Sequence, residues 1–139
     1  FAFSRDPYGR AVSLFYYVKR YQVLDETETF LSFCRRLADG QCDDIGLYNV
    51  RGMSQCNPQT RWLRDVDPDL VGRMDQLEQD SREIARHLRI DYESTPHLNP
   101  TDHGDYRDYY CQESRQIVED FYAEDFRQLD YPMAFQAAV

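Results

Sequence analysis

The sequence predicts an α/β domain that is mostly helical, and three observations carry that prediction. A short apolar segment, Phe1-Ala2-Phe3-Ser4, runs into Asp6-Pro7 and then into apolar residues at helical spacing. A second pair of the same kind comes later, where Leu70-Val71-Gly72-Arg73-Met74 precedes Leu77, Ile84, Ala85 and Leu88. The remaining apolar stripes recur at three and four residues and are punctuated by Gly and Pro, as helices joined by irregular connections are.

Taken in chain order, Phe1 to Ser4 reads as a strand. Asp6 then reads as a helix cap with Pro7 at the first helical position, where a missing N–H costs nothing. Val12, Phe15, Tyr16 and Lys19 share one face of a helix from Pro7 to about Tyr21. Asp25 and Glu28 form a capping-box pattern ahead of Phe30, Leu31, Phe33, Cys34 and Leu37, with Gly40 as the stop. From Gln41 to about Asp69 an irregular connection is expected, with one helical turn over Gln59 to Leu63. Leu70 to Met74 reads as a short strand before a helix from about Asp75 to Arg89, and a single helix from Asp69 is the competing reading. Asp91 to Asp105 reads as a loop. The last helix is expected over roughly Tyr109 to Phe126, with Ile117, Val118, Phe121, Tyr122 and Phe126 inward and Glu119, Asp120, Glu124 and Asp125 as a solvated face.

Composition narrows the function classes. The 139 residues include 25 acidic and 16 basic side chains, a net charge of -9 that repels polyanions and argues against nucleic-acid binding. No run approaches the roughly 20 apolar residues of a membrane span. The 4 cysteines (Cys34, Cys42, Cys56, Cys111) and 3 histidines (His87, His97, His103) lack zinc spacings, so no metal is expected. The thiols read as buried or idle, with a disulfide open to a secreted protein.

The most informative constellation lies in the first thirteen residues: Arg5 at a strand end, Asp6-Pro7 opening a helix, Arg10 one turn in and Ser13 about two turns in. A guanidinium donates paired charge-assisted hydrogen bonds to a phosphate, a hydroxyl adds a donor, and a helix N-terminus lies close by. The chemistry suits an anion. An Arg5 paired with an acidic neighbour and an Arg10 lying over the helix surface are the structural alternative.

The run Phe3-Ser4-Arg5-Asp6-Pro7-Tyr8-Gly9-Arg10-Ala11-Val12-Ser13 resembles the 3′-phosphate-binding segment of sulfotransferases that use PAPS (3′-phosphoadenosine-5′-phosphosulfate). Further likeness to carbohydrate sulfotransferases and their bacterial relatives runs through Asn57-Pro58-Gln59-Thr60 with Trp62-Leu63, Val71-Gly72-Arg73 to Leu88-Arg89-Ile90, and Phe121 to Phe126 with Leu129 and Tyr131. The resemblance implies a three-layer, P-loop-type nucleotide-binding fold with a parallel sheet. Residues 1–131 would then be the C-terminal portion of one sulfotransferase domain and 132–139 a tail.

By the same resemblance Arg5 and Ser13 would hold the 3′-phosphate, and Asn99 and Thr101 would approach the nucleotide from a later loop. PAPS would be the donor and PAP (adenosine 3′,5′-bisphosphate) the product. The acceptor would be a hydroxyl of a carbohydrate or another small alcohol. The location implied is cytoplasmic for a bacterial protein and the Golgi lumen for a eukaryotic one. Two departures stand out. Gln55 occupies the place where many relatives carry His, and the Gly/Thr/Ser-rich loop that cradles the 5′-phosphosulfate has no counterpart in the sequence. The expectation is therefore a chain that grips the nucleotide weakly alone and turns over little, with no catalytic base assigned. An open sheet edge would favour self-association into a homo-oligomer. The reading from a different class is a non-catalytic binding or assembly module in which Arg5 is structural.

Overall fold

The computed structural model describes residues 1–42, 44–45, 49–96 and 104–134. The chain is α/β, about 54% helical, with a small parallel sheet of two strands. Strand β1 (Ala2–Ser4) leads through Arg5 and Asp6 into α1 (Pro7–Arg20). Asp6 caps α1 by accepting the Gly9 N–H, and Pro7 takes the first helical position, as the sequence predicts.

Helix α2 (Phe30–Ala38) differs from its expected start. Thr29 is the cap, accepting the Ser32 N–H at 3.2 Å, while Asp25 closes a separate turn onto Thr27. Glu28 instead accepts from Ser32 and Arg36. The capping-box pattern is thus divided between two structures, because either Asp25 or Thr29 can cap and only Thr29 sits next to the apolar stripe.

The connection after α2 holds more order than punctuation suggests. Strands β2 (Asn49–Val50) and β3 (Met53–Ser54) form a hairpin over Arg51 and Gly52, both with positive φ (54° and 73°), the backbone of a type I′ turn. Helix α3 (Gln59–Val66) extends beyond the single turn expected. Strand β4 (Val71–Arg73) follows, then a 3-10 turn (Met74–Gln76) and α4 (Leu77–Leu88), so the strand-then-helix reading of this stretch holds over the single helix.

β4 pairs parallel with β1 in the register Ala2↔Val71, Phe3↔Gly72, Ser4↔Arg73. The Phe3 ring crosses directly over Gly72. A Cβ added there would lie 2.5 Å from the ring, so only glycine admits the pairing. At the end of β1, buried Ser4 bonds the Gly72 carbonyl (3.3 Å) and the Tyr131 hydroxyl (3.0 Å), tying the strand to the C-terminal segment.

The last helical stretch is two helices, α5 (Gln112–Phe121) and α6 (Ala123–Gln128), broken at Tyr122. The break follows from what Tyr122 does: its side chain is fully buried and its hydroxyl donates to the Cys56 carbonyl at 2.7 Å. The core joins Ala11, Val12, Phe15 and Val18 of α1 to Phe30, Phe33, Cys34 and Leu37 of α2, with Val118, Tyr122 and Phe126 closing it. Among the described residues no helix is long and apolar enough to cross a membrane.

Candidate functional site

Arg5 leaves β1 at the mouth of the turn into α1, and its backbone is held on both sides by one amide. The Arg5 N–H donates to Gln59 Oε1 at 2.8 Å, and Gln59 Nε2 donates to the Arg5 carbonyl at 2.8 Å. Gln59 opens α3, whose N-terminus is capped from α6. Asp125 accepts from Gln59 N (2.8 Å), Gln59 Nε2 (3.4 Å), Thr60 N (2.9 Å) and Thr60 Oγ1 (2.8 Å). A buried carboxylate thus fixes an amide, and the amide fixes the backbone of an arginine.

Asp125 is fully buried, against the expectation of a solvated acidic face. The sequence did carry a signal: Asp125 stands seven residues after Val118 and three after Tyr122, on the apolar stripe. A carboxylate on such a stripe must be hydrogen-bonded, and the N-terminus of α3 supplies the donors. Glu119 likewise turns inward, accepting from Arg115 Nε (2.7 Å) and from the Tyr8 hydroxyl.

The two residues expected to share a phosphate converge. Arg5 Nη1 donates to Ser13 Oγ at 2.8 Å, across the first two turns of α1. Among the described residues the Arg5 guanidinium has no salt bridge, and both side chains are partly exposed. Burial lowers the pKa of Arg5, the Asp6 charge opposes that, and the Arg10 charge adds to it. Burial raises the pKa of Asp6, against hydrogen bonds from the Gly9 and Tyr8 N–H groups and the charge of Arg5.

One part of the expected anion site is already occupied. The Asp6 carboxylate sits on the N-terminal amides of α1, so the dipole end is neutralised by the protein's own cap. Attraction for an anion therefore falls to guanidinium groups. A cleft of about 220 Å³ lies on another side of Asp6, lined by Tyr8, Arg73, Tyr106, Arg107 and Tyr131 among others, and takes in neither Arg5 nor Ser13.

Arg10 turns inward, in place of the surface position that the structural alternative gives it. Its Nη2 donates to the carbonyls of Gln55 (2.6 Å) and Asn57 (2.9 Å), and its guanidinium lies 5.3 Å from the Tyr122 ring centre. Its Nη1 is buried without a hydrogen-bond partner among the described residues, and so are both polar atoms of the Gln55 side chain. Buried polar atoms are almost always satisfied, so these three mark a place where a further polar group belongs. The sequence singled out Gln55 only as a departure from the resembled motif, and nothing in it announced that the side chain is buried. Asn99 and Thr101, with His97 and His103, lie outside the described residues.

In comparisons with known proteins, no family model, no curated protein and no solved structure matches the chain.

Proposed function

We propose that this chain carries the 3′-phosphate-binding portion of a PAPS-dependent sulfotransferase, within a three-layer P-loop-type fold whose parallel sheet includes β1 and β4. The observation that carries the reading is the 2.8 Å contact between Arg5 Nη1 and Ser13 Oγ, made by two side chains eight positions apart that the motif requires to meet. In this reading the guanidinium donates to two phosphate oxygens and the hydroxyl rotor turns to donate to a third. In this reading Arg10, on the same helix as Ser13, and Gln55, on the segment before α3, would supply further polar contacts through their buried unpartnered atoms.

PAPS supplies an activated sulfuryl group for transfer to a hydroxyl of a carbohydrate or small alcohol. This chain's part is grip and placement, since orientation of the donor is where much of such a barrier is lowered. Gln59 and Asp125 act as positioning residues by fixing the Arg5 backbone, and none of the described residues is assigned as the base.

The test is titration of the chain with adenosine 3′,5′-bisphosphate, with adenosine 5′-monophosphate as the comparison. Saturable binding of the bisphosphate, at least tenfold tighter than the monophosphate, is expected. Arg5→Ala should abolish that preference and Ser13→Ala weaken it, with the circular dichroism spectrum unchanged. Equal affinity for the two nucleotides, or a preference that survives Arg5→Ala, would overturn the assignment and favour the non-catalytic module.

A further inference from the structure

The carboxyl ends of β1 and β4 meet at the cleft beside Asp6, and crevices outside the carboxyl ends of parallel strands are where α/β sheets hold their ligands. Its walls come from four stretches: Asp6 ahead of α1, Arg73 and Asp75 at the end of β4, Tyr106 and Arg107 of a 3-10 turn (Tyr106–Tyr109), and Tyr131 with the residues after it. At about 220 Å³ the cleft is smaller than the roughly 300–1,000 Å³ of pockets for drug-sized ligands, so it has room for a single small ring.

The back of the cleft is set by the fold. Tyr131 is 5% exposed, its hydroxyl bonds Ser4 at 3.0 Å, and its N–H donates to the Phe126 carbonyl at 3.0 Å. The Arg73 guanidinium lies 4.2 Å from the centre of the Tyr131 ring. It makes two long hydrogen bonds besides, from Nε to Asp75 Oδ1 (3.3 Å) and from Nη1 to the Asp130 carbonyl (3.4 Å). Arg73 Nη2 and Asp75 Oδ2 have no hydrogen-bond partner among the described residues. A free donor therefore stands beside a free acceptor, on side chains that are 30% and 53% exposed.

That pair selects the ligand. Two neighbouring hydroxyls satisfy it at once, one accepting from Arg73 and the other donating to Asp75. An anion satisfies Arg73 alone and faces Asp6 and Asp75, and burial already raises the Asp6 pKa. Arg107 adds no free positive charge, because its Nε donates to both carboxylate oxygens of Asp105 (2.8 and 2.9 Å). An apolar ring strips water from the pair and returns no hydrogen bond. We propose that this cleft binds one neutral sugar ring, free or at the end of a chain, through two neighbouring hydroxyls held by Arg73 and Asp75, with its C–H face against Tyr106. That the ring is the sulfuryl acceptor rests on the function proposed above; that the cleft holds a sugar does not.

The experiment is an amide-resolved NMR titration of the full chain with methyl glucoside, methyl galactoside and maltose, with glucuronate, glycine and cyclohexanol as comparisons. Saturable shifts of the Arg73, Asp75, Tyr106 and Tyr131 amides are expected with at least one methyl glycoside and with none of the comparisons at equal concentration. Maltose shifting the same amides identifies a chain end as the source of the ring, and a response to methyl glycosides alone identifies the free sugar. Arg73→Gln should weaken binding about tenfold, the order of one charge-assisted hydrogen bond, and Asp75→Ala, at an exposed side chain outside the core, about as much. No saturable shift with either glycoside, shifts centred elsewhere, glucuronate, glycine or cyclohexanol binding as tightly as the glycosides, or an affinity unchanged in both variants would each overturn the proposal. The titration contains no nucleotide, so its failure leaves the Arg5 assignment standing and a failed bisphosphate titration leaves the sugar cleft standing.

Discussion

Replacing Asp125 should cost more stability than any other single change at the candidate site. The Asp125 carboxylate accepts from Gln59 N, Gln59 Nε2, Thr60 N and Thr60 Oγ1 within 3.4 Å, and α3 has no side-chain cap of its own at Pro58. In Asp125→Ala the Thr60 hydroxyl can rotate to another acceptor. The two backbone N–H groups cannot, and each donor left unsatisfied in the interior costs about 1–3 kcal/mol. Loss of the cap function is of similar kind and partly the same energy, which places the total at about 3–5 kcal/mol. Against a typical stability of about 5–15 kcal/mol that is a large fraction. Asp125→Asn should cost less, because its remaining oxygen still serves one pair of donors while the new NH2 faces the other. Urea unfolding of the three proteins measures the order, and hydrogen exchange at the Arg5 amide reports whether Gln59 has been released. An Asp125→Ala variant within about 1 kcal/mol of wild type, with Arg5 exchange unchanged, would refute the argument that this carboxylate organises α3 and, through it, Arg5.

Two further outcomes follow from the geometry. Gln55→Leu removes an amide whose two polar atoms are buried without a partner among the described residues, and should be neutral to about 2 kcal/mol stabilising in urea unfolding while weakening bisphosphate binding. A stabilising change with undiminished binding would remove Gln55 from the site. Asp105 is held down at about 2 by hydrogen bonds from the Arg107 side chain and backbone N–H. Because its folded value lies below the unfolded one, its contribution to stability is present above the ordinary carboxylate range and is lost as pH falls toward about 2. A carboxyl NMR titration should therefore place its midpoint near 2 in the protein and higher in Arg107→Ala, though still below the ordinary value because the backbone N–H of residue 107 remains.

Local chemistry made the ends of several elements legible. Asp6-Pro7 announced α1, the Phe30 to Leu37 stripe announced α2, and Val71-Gly72-Arg73 announced a strand ahead of α4. The parallel pairing of β1 with β4 was not readable from either strand, since it depends on contacts 69 positions apart, such as Phe3 over Gly72. The hairpin of β2 and β3 was missed because Arg51, rather than Asn or Asp, occupies a positive-φ position before Gly52. The broken final helix was missed because nothing in its periodicity forbids continuation. What ends it is the tertiary hydrogen bond from Tyr122 to Cys56.

At the candidate site, the sequence singled out Arg5 and Ser13, which the structure brings together, but not the residues that hold the Arg5 backbone. Arg5 and Ser13 stand out by the eight-residue spacing of the motif they resemble, and their side chains meet at 2.8 Å. Gln59 acts through the backbone of Arg5, and Asp125 acts through the backbone of Gln59, so neither depends on a side-chain pairing that a pattern could reveal. Their effect is nevertheless specific. An arginine on a mobile loop would lose on the order of 2 kcal/mol of rotamer freedom on gripping a phosphate, besides the cost of ordering its backbone. Here the backbone is bonded at both its N–H and its carbonyl, and Nη1 is already bonded to Ser13. Most of that ordering has therefore occurred in folding. The Asp6 carboxylate takes the helix amides that would otherwise attract an anion, so in the proposed site selectivity for a terminal phosphate would rest on a guanidinium of fixed direction rather than on the diffuse field of a helix end.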